Sequence, residues 1–405
     1  MEEWKEYKLG DFMEFNPKIS LKKNTVARKI TMDQLVPHSR DIYSWTYEPY
    51  SGGAKFQNGD TIMARITPCL ENGKHAFISL LEENEIAYGS TEYIVIRGRC
   101  GISDNRFVYY LTHYPSFKEA AVKSMVGSSG RQRAQVDVLE NLTMKLPAIP
   151  EQRRIAEALS ILDDKIKVNK RINDNLEQQA QALFKSWFVD FEPFRDQSFV
   201  ESELGMIPDG WRVVALDELC SFISRGLTPK YDERSDELIL GQTCVRNNIV
   251  TLDNARKHKP KQKTEKWVQQ WDTLINSTGV GSLGRVGIVY FNMDNVAIDS
   301  HITVVRPKTA LLRHFVGRNL LSRQLEIENM AVGSTGQTEL PKDRVKYLPI
   351  IMPDENALKH FNAVIEPIAR LLYRNIEESR FLASLRDILL PRLMSGEIKV
   401  NDLIA

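Results

Sequence analysis

The stretch Glu151–Phe188, EQRRIAEALSILDDKIKVNKRINDNLEQQAQALFKSWF, decides the fold. It follows Pro147 and Pro150 and contains neither glycine nor proline, so nothing in it interrupts a helix. Its apolar side chains alternate at spacings of four and three residues, which is the repeat of a coiled-coil seam. The seam residues are Ile155, Leu159, Leu162, Ile166, Leu176, Ala180, Leu183 and Trp187, with the polar residues Asn169 and Asn173 among them. The sequence therefore predicts one long helix that buries this seam against another helix.

The same seam returns 206 residues later in the chain. Its members are Phe361, Ile365, Ile368, Leu372, Asn375, Ser379, Leu382, Leu389 and Leu393, with Arg386 as a further polar position. Two matching seams in one chain favour helices that pair with each other. Asn169 and Asn375 stand at equivalent positions, so we expect buried amides to hydrogen-bond and fix the register of the pair. Pro367 is expected either to kink the second helix or to mark its first turn.

The segments in front of the two helices also repeat. WKEYKLGD at 4–11 is echoed by WRVVALDE at 211–218, and VGSSG at 126–130 is echoed by VGSTG at 332–336. Both segments contain short β-type runs separated by Gly, Ser, Asn and Pro turns. We therefore predict an α+β fold in which two mixed α/β domains are separated by a long antiparallel helical coiled coil, with a pseudo-two-fold internal repeat. The predicted boundaries are 1–147 for the first domain, 148–190 for the central long helix, 191–210 for a linker, 211–353 for the second domain, and 354–405 for the C-terminal long helix and tail.

Antiparallel pairing has a geometric consequence, because each domain leads into the N-terminal end of its own helix. We therefore expect the two domains at opposite ends of the helix pair. A helix of ~35 residues is ~50 Å long, and recognition sites one turn apart on B-DNA are ~34–36 Å apart. Two domains at the ends of such a helix pair would be far enough apart to contact two places on one DNA duplex. Because the domains differ in sequence, the DNA sequences that they contact, the two half-sites, are expected to differ.

Composition limits the class of protein. A chain of 405 residues predicts two or three domains, and 42% hydrophobic with 26% charged residues is typical of ordinary globular protein. No apolar run is long enough for a membrane helix, and MEEWKEYKLG lacks the pattern of a secretory signal. The four cysteines form no Cys-x-x-Cys pair, which fits a reducing cytoplasm. With 54 basic and 53 acidic residues, any nucleic-acid site must be a local patch.

The sequence lacks the motifs of the enzymes that act on DNA. A methyltransferase of base amino groups needs Asn/Asp-Pro-Pro-aromatic, and only Asn16-Pro17-Lys18 comes near it. There is no phosphate-binding G-x-x-x-x-G-K-[ST] loop, and the seven histidines show no metal-ligand spacing. Gly279–Gly284 matches G-x-G-x-x-G, but the strand-like Arg285–Phe291 follows where a helix is required, so we predict a turn between strands. The chain is therefore expected to catalyse nothing by itself.

Two further stretches indicate a family. LPAIPEQRRIA at 146–156 leads directly into the first seam, and FVESELGMIPDGW at 199–211 joins the two repeats. With the doubled layout, they closely resemble the DNA-specificity (S) subunit of type I restriction–modification systems, over essentially the whole chain. One departure is the second helix entry, MPDENALK at 352–359, which lacks Glu-Gln-Arg-Arg. Partner docking there is expected to use different contacts.

The resemblance implies a non-catalytic subunit with two target-recognition domains, each reading one half of a split, asymmetric site in double-stranded DNA. It implies that the paired helices set the gap between the halves. It also implies docking of two modification (methyltransferase) subunits, with restriction (motor and nuclease) subunits joining for cleavage in the cytoplasm. S-adenosylmethionine, ATP and magnesium are then expected on those partners, and no cofactor, metal or membrane is expected for this chain.

Gly-rich loops flanked by basic and amide side chains suit contact with DNA grooves, because backbone N–H groups meet phosphates while the side chains reach base edges. In the first domain the candidates are Arg65, Lys74, His75, Thr91, Glu92, Ser128, Ser129, Gly130, Arg131, Gln132 and Arg133. In the second they are Lys257, Lys259, Lys261 and Lys263 of the densest basic run, with Ser277, Thr278, Arg285, Ser300, His301, Thr335 and Gln337. The competing interpretations are that the basic run is a solvated loop and that the two shared Gly-rich stretches are plain turns. The residues that differ after the shared turns, RQR at 131–133 and QTE at 337–339, are the better specificity candidates.

Two other functions stay open at this point: a stand-alone DNA methyltransferase and a coiled-coil scaffold that binds only protein. A cluster of aromatic residues at the end of the first helix bears on the second. It comprises Phe184, Trp187, Phe188, Phe191 and Phe194. The cluster is expected to form the core of a junction, with docking of a partner helix as the alternative.

Overall fold

The computed structural model describes residues 4–259, 262–334 and 338–403. Two compact units emerge from the contacts within the chain. Unit 1 comprises Met1–Val168 and Glu378–Ala405, and unit 2 comprises Asn169–Glu377. Each unit therefore contains one sequence repeat, the first part of the long helix that follows it and the last part of the other long helix.

Unit 1 is built on two four-stranded sheets. Its strands are β1 Lys5–Lys8, β2 Met13–Phe15, β3 Val26–Ile30, β4 Thr46–Pro49, β5 Lys55–Phe56, β6 Thr61–Ala64, β7 His75–Phe77, β8 Ala87–Gly89, β9 Tyr93–Gly98 and β10 Thr143–Leu146. Its helices are α1 Leu9–Phe12, α2 Asn105–His113, α3 Pro115–Lys123, α4 Val136–Glu140 and the start of α5 Ile149–Phe188. The sheet orders are β2-β9-β6-β7 and β4-β3-β8-β5, and β1 pairs with β10.

Unit 2 repeats this plan with additions. Its strands are β11 Phe199–Ser202, β12 Gly205–Pro208, β13 Arg212–Ala215, β14 Cys220–Arg225, β15 Leu238–Leu240, β16 Val245–Arg246, β17 Asn248–Val250, β18 Arg256–Lys257, β19 Thr273–Asn276, β20 Val286–Ile288, β21 Val296–Ile298, β22 Ile302–Pro307 and β23 Pro349–Met352. Its helices are α6 Leu216–Leu219, α7 Arg313–Ser322, α8 Gln324–Asn329, α9 Lys342–Lys346 and the start of α10 Glu355–Met394. The larger sheets have the orders β14-β22-β19-β20-β17-β16 and β18-β15-β21.

The repeat seen in the sequence is a repeat of structure. In both units the strand that starts the repeat pairs with the strand before the long helix, β1 with β10 and β13 with β23. The central strands β6 and β19 each follow an aspartate that is paired with an arginine of the adjacent strand. Asp60 lies 2.6 Å from Arg97, and Asp272 lies 2.8 Å from Arg306. Both carboxylates are 1% exposed or less, so these pairs hold the two sheets by the same buried contact.

Both long helices are present as single elements of 40 residues. The first runs from Ile149 to Phe188 and so includes the whole stretch Glu151–Phe188 from which it was predicted. The second begins at Glu355 and continues through Pro367, so the expectation that this proline marks the first turn is wrong. None of the predicted seam residues is exposed on either helix, because the seams pack against each other in both units.

Within unit 1 the two helices pair antiparallel. Ile155 and Leu159 of α5 share a core cluster with Leu390 and Leu393 of α10. Further along α5, Asp163 forms a buried ion pair with Arg386 at 2.7 Å. As the residue numbers rise along α5, the numbers of the α10 residues that they contact fall. The two helices are therefore antiparallel, which confirms the predicted direction.

Within unit 2 the pairing has the same direction. The amide of Asn375 donates to the amide oxygen of Asn173 at 2.9 Å, so the predicted polar bond between the helices includes Asn173. The rings of Phe188 and Phe361 meet edge to face with their centroids 4.8 Å apart. Phe184 and Phe188 are 5% exposed or less and Phe194 is 8% exposed. The aromatic cluster is therefore core of the junction, as predicted, and not a free docking surface.

Over the described ranges of the chain, none of the helices is both long and apolar enough to cross a membrane.

Candidate nucleic-acid interface

In the first repeat, three predicted site residues meet where β6 ends and β9 begins. Arg133 binds the carboxylate of Glu92 through both Nε and Nη2, at 3.0 and 2.7 Å. Nε of Arg65 lies 3.8 Å from the same carboxylate. All three side chains stay partly exposed, at 32% for Arg65, 25% for Glu92 and 38% for Arg133. The arrangement brings together residues that are up to 68 positions apart in the sequence (Arg65 to Arg133).

The electrostatics of this cluster follow from its hydrogen bonds. The bonds from Arg133 lower the pKa of Glu92, so the carboxylate stays ionised at neutral pH. The same bonds raise the pKa of Arg133. Two guanidinium groups and one carboxylate leave the cluster with a net charge of about +1, which suits a surface that faces phosphates.

The loop that carries Arg131 and Gln132 is fixed by its backbone. Val126 and Arg133 exchange hydrogen bonds of 3.1 and 2.9 Å, and Thr67 N–H donates to the carbonyl of Gln132 at 3.0 Å. Ser128, Ser129, Gly130 and Arg131 form the exposed tip, and Thr91, which precedes Glu92 in the sequence, is also exposed. A pinned loop with an exposed basic tip presents its side chains without a large ordering cost.

Two of the first-repeat candidates lie elsewhere. His75 is 1% exposed, and its ring packs against the tilted ring of His113 with centroids 4.7 Å apart. Burial lowers the pKa of His75 to about 3, so the ring is neutral. A ring so enclosed cannot reach a duplex, and the proposal of His75 as a DNA contact is wrong for this conformation. Lys74 is half-buried because its ammonium donates to the carbonyl of Met32 at 2.6 Å.

In the second repeat, a hydrogen-bonded chain occupies the corresponding end of the sheet. Oγ1 of Thr278 lies 2.8 Å from Nδ1 of His301, and the amide of Gln242 donates to the same Oγ1 at 2.7 Å. His301 is exposed and Ser300 partly so. Ser277, by contrast, is fully buried with its hydroxyl 2.6 Å from that of Thr303, so it is removed from the candidates.

The Gly-rich segment is a turn between strands, as predicted. It joins β19 to β20, which pair antiparallel. Gly284 has a φ of +80°, and a Cβ there would lie 2.6 Å from Cβ of Glu328, so only glycine fits. Arg285 ends the turn and donates to the carbonyl of Gly281 at 2.6 Å, which holds the guanidinium beside the loop.

The sequence did not single out Arg225, which pairs with Glu339 at 2.6 Å. Glu339 occupies the position equivalent to Arg133, 206 residues later. Both residues exchange backbone bonds with the start of their loop, Arg133 with Val126 and Glu339 with Val332. The equivalent loop position thus carries a positive charge in the first repeat and a negative charge in the second. Thr335 and Gln337, also predicted for this loop, lie outside the described residues.

In the basic run, Arg256 and the lysines that the structure describes are exposed at one edge of the second repeat. Arg256 and Lys257 form β18, and Lys257 donates to the carbonyl of Glu233 at 3.0 Å. Lys259 is exposed, Lys263 pairs with the exposed Asp294 at 3.0 Å, and Lys261 is not among the described residues. Sequence reasoning missed Tyr231, on which Arg256 stacks at 3.5 Å. A basic and aromatic edge of this kind suits phosphate contact.

The Glu-Gln-Arg-Arg signature has a structural role in the first repeat. Gln152 is 1% exposed, accepts from the N–H of Asp104 at 2.9 Å and donates to the carbonyl of Pro147 at 2.8 Å. It therefore ties α5 to the N-terminus of α2. The equivalent residue of α10 is Leu358, also 1% exposed. The departure at the second helix entry replaces this hydrogen-bonding contact by an apolar one.

Comparison with known proteins agrees with this architecture. The family model described as "Type I restriction modification DNA specificity domain" matches residues 1–178 and again 208–366. The chain belongs to this family and carries its domain twice.

Named relatives and a solved structure extend the comparison. The specificity subunit of the type I restriction enzyme MjaIX of Methanocaldococcus jannaschii is 29% identical over 313 residues, which cover 74% of this chain and 70% of the relative. That of HindI of Haemophilus influenzae is 23% identical over 98% of this chain and all of the relative. A crystal structure of the type I restriction–modification S subunit from M. genitalium has a TM-score of 0.54 at 14% identity, and covers 97% of this chain and 96% of that one.

Proposed function

We propose that this chain is the DNA sequence-recognition subunit of a type I restriction–modification complex, in which each repeat reads one half of a split, asymmetric site. The observation that carries the proposal is one scaffold used twice with different side chains at equivalent places. Arg133 and Glu339 stand at the same loop position, and each is held by an ion pair to another strand end, through Glu92 and Arg225. Two repeats that share a backbone but carry different side chains on their loops can each bind a different half-site, as a split, asymmetric site requires.

The chemistry of the tips suits base reading. Arginine binds guanine bidentately and glutamine binds adenine, and both types are present in the first loop as Arg131 and Gln132. The second repeat presents His301 and Thr278 with a basic edge that includes Lys257 and Lys259. Phosphate contacts then position each repeat, while the tips select the bases.

Catalysis belongs to the partners in this proposal. Two modification subunits dock on the chain and restriction subunits join them, with S-adenosylmethionine, ATP and magnesium bound by those partners. This rests on the family and on relatives named as specificity subunits of type I restriction enzymes. It is supported by the absence from the sequence of the methyltransferase and phosphate-loop motifs.

The test is duplex binding by the complex of this chain with its modification subunit, measured over a series of salt concentrations. Binding should weaken steeply with salt, and Arg131→Ala should weaken it further. Arg195→Ala is the matched control, because Arg195 is an exposed arginine of the linker at 191–210 and pairs with Glu192 at 3.3 Å. Salt-independent binding, or equal losses in both variants, would contradict the proposal.

The two alternatives give different results. A stand-alone methyltransferase would bind S-adenosylmethionine as the isolated chain, which calorimetry would detect. A scaffold that binds only protein would assemble with the modification subunit without adding any affinity for duplex DNA.

A further inference from the structure

A buried arginine links the second repeat to the helix pair. Arg318 of α7 is 1% exposed. Its Nη1 donates to a carboxylate oxygen of Glu177 on α5, and its Nη2 donates to the hydroxyl of Tyr290 at 2.8 Å. The same oxygen of Glu177 accepts from the side-chain amide of Asn248 at 3.2 Å. The carboxylate of Glu177 thus binds Arg318 of α7 and Asn248 of β17. Arg318 in turn binds Tyr290, which lies just after β20.

The surrounding contact between α7 and the helices is apolar. Phe315 packs against Phe188 and Phe184 of α5, with ring centroids 5.0 and 6.0 Å apart. Apolar contact is non-directional, so it holds the surfaces together without fixing their orientation. Hydrogen bonds of a charged pair have a set length and direction. Orientation therefore depends on the polar contacts.

A second polar contact fastens α7 to the other helix. Nε2 of His314 lies 2.7 Å from Glu366 of α10, and Arg313 binds the same carboxylate. Polar contacts thus hold the second repeat on both helices, through Glu177 on α5 and through Glu366 and Asn362 on α10. Of the two carboxylate contacts, the Glu177 contact is the more buried, with the Arg318 side chain 1% and the Glu177 side chain 13% exposed.

The first repeat uses the equivalent helix position in a different way. α2 and α7 align through Phe107 and Phe315, which places Tyr110 opposite Arg318. The hydroxyl of Tyr110 donates to Asp163 of α5 at 2.6 Å. In both repeats, therefore, the side chain at this helix position binds an acidic residue of α5.

We propose that the Glu177–Arg318 pair is a positioning device that fixes the orientation of the second repeat on the helices, and that it thereby makes the complex selective for a single length of the unread gap. The inference rests on the proposed function. One extra base pair moves a half-site by ~3.4 Å along the duplex and rotates it by about 35°. A repeat that followed this movement by turning on the helices would break the buried pair, since its hydrogen bonds cannot stretch by such a distance.

The test uses the purified complex of this chain with its modification subunit. Methylation rates are measured on duplexes with the natural gap and with gaps one base pair shorter and longer. The variant Glu177→Met with Arg318→Met removes both charges and keeps similar side-chain volumes. We expect it to methylate the same two half-sites, while its preference for the natural gap falls at least ~10-fold. The control, Arg392→Met with Glu397→Met, removes an exposed pair at the end of α10 at 2.8 Å and should leave gap preference unchanged.

The outcomes separate the two proposals. An assembled double variant with undiminished gap preference overturns the positioning role, as does an equal loss in the control. If the double variant does not assemble, Tyr290→Phe decides, because it removes one acceptor of Arg318 and keeps the ring. Reduced gap preference in Tyr290→Phe supports the inference and unchanged preference overturns it. A wild-type complex that methylates no split sequence at all would instead contradict the proposed function.

Discussion

The ion pair between Asp163 and Arg386 provides the sharpest test of how the helices pair in unit 1. The two residues are on different helices and 223 positions apart, and their atoms lie 2.7 Å apart. Their side chains are 4% and 9% exposed. Burial alone would lower the pKa of Arg386, but the nearby carboxylates of Asp163 and Asp387 more than offset this, so the pKa is raised and the guanidinium stays charged. We predict that the two residues are strongly coupled in stability.

The magnitude follows from what each substitution leaves behind. Arg386→Leu leaves a buried carboxylate that still accepts from the hydroxyl of Tyr110, and should cost ~3–5 kcal/mol of unfolding free energy. Asp163→Leu leaves Arg386 with the exposed Asp387 and should cost about as much. The double variant removes both charges and loses chiefly the acceptor of Tyr110, about 1–3 kcal/mol. The coupling energy should therefore be at least ~3 kcal/mol.

The assay is urea unfolding of the full chain, followed by amide hydrogen exchange in peptides covering 155–168 and 380–394. The control pair is Lys165 and Glu378, which also bridges the helices at 3.2 Å but is about half exposed, at 46% and 41%. Its coupling should stay below ~1 kcal/mol. Additive effects of Asp163→Leu and Arg386→Leu would show that the two seams do not meet in this register.

Three further predictions concern the site, the pH dependence and the helices. Glu92→Gln should make the salt dependence of DNA binding steeper by about one unit of log slope, because Arg133 loses its counter-charge, and should relax selectivity at one half-site only; equal relaxation at both halves would contradict this. His75 has a folded pKa of about 3, lowered by burial, against ~6.5 when unfolded. The folded state therefore binds fewer protons than the unfolded state. The unfolding free energy that His75 contributes above pH ~6.5 is lost as the pH falls, and the loss between pH 7 and 5 is ~2 kcal/mol. In His75→Phe the unfolding free energy should fall by ~2 kcal/mol less than in the wild type over this range, and equal falls in the two proteins would refute the burial of a neutral His75 ring. Inserting seven residues after Asn173 and seven before Asn375 adds ~10 Å of paired helix. The unread gap between the half-sites should therefore lengthen by about 3 base pairs, while both half-sites stay the same. An unaltered gap would show that the helices do not set the spacing.

The helices and the repeat were predictable because apolar periodicity is local. The seam from Ile155 to Trp187 can be read at spacings of three and four residues, and its recurrence at Phe361 needs no contact information. Of the two predictions for Pro367, the first-turn alternative is wrong because α10 begins twelve residues earlier, at Glu355, and the kink stays a prediction. The aromatic junction was predictable for the same local reason, since Phe184 and Phe188 stand one helical turn apart.

The site was predictable only in part. Arg65, Glu92 and Arg133 were identified from loop composition, but their mutual ion pairs depend on which strands become neighbours. His75 was wrongly placed because the residues next to it, Lys74 and the nearby loop, are polar, while the strand it begins is covered on both sides. The Glu177–Arg318 pair joins residues 141 positions apart, and no local pattern connects them.

The most direct measurement of the central claim is methylation-sensitive sequencing of genomic DNA from cells that express this chain with its modification subunit. Two different readers on paired helices predict an interrupted, asymmetric motif, and a variant such as Glu92→Gln should alter one side of it alone. A continuous motif, or the same methylation without this chain, would contradict the account.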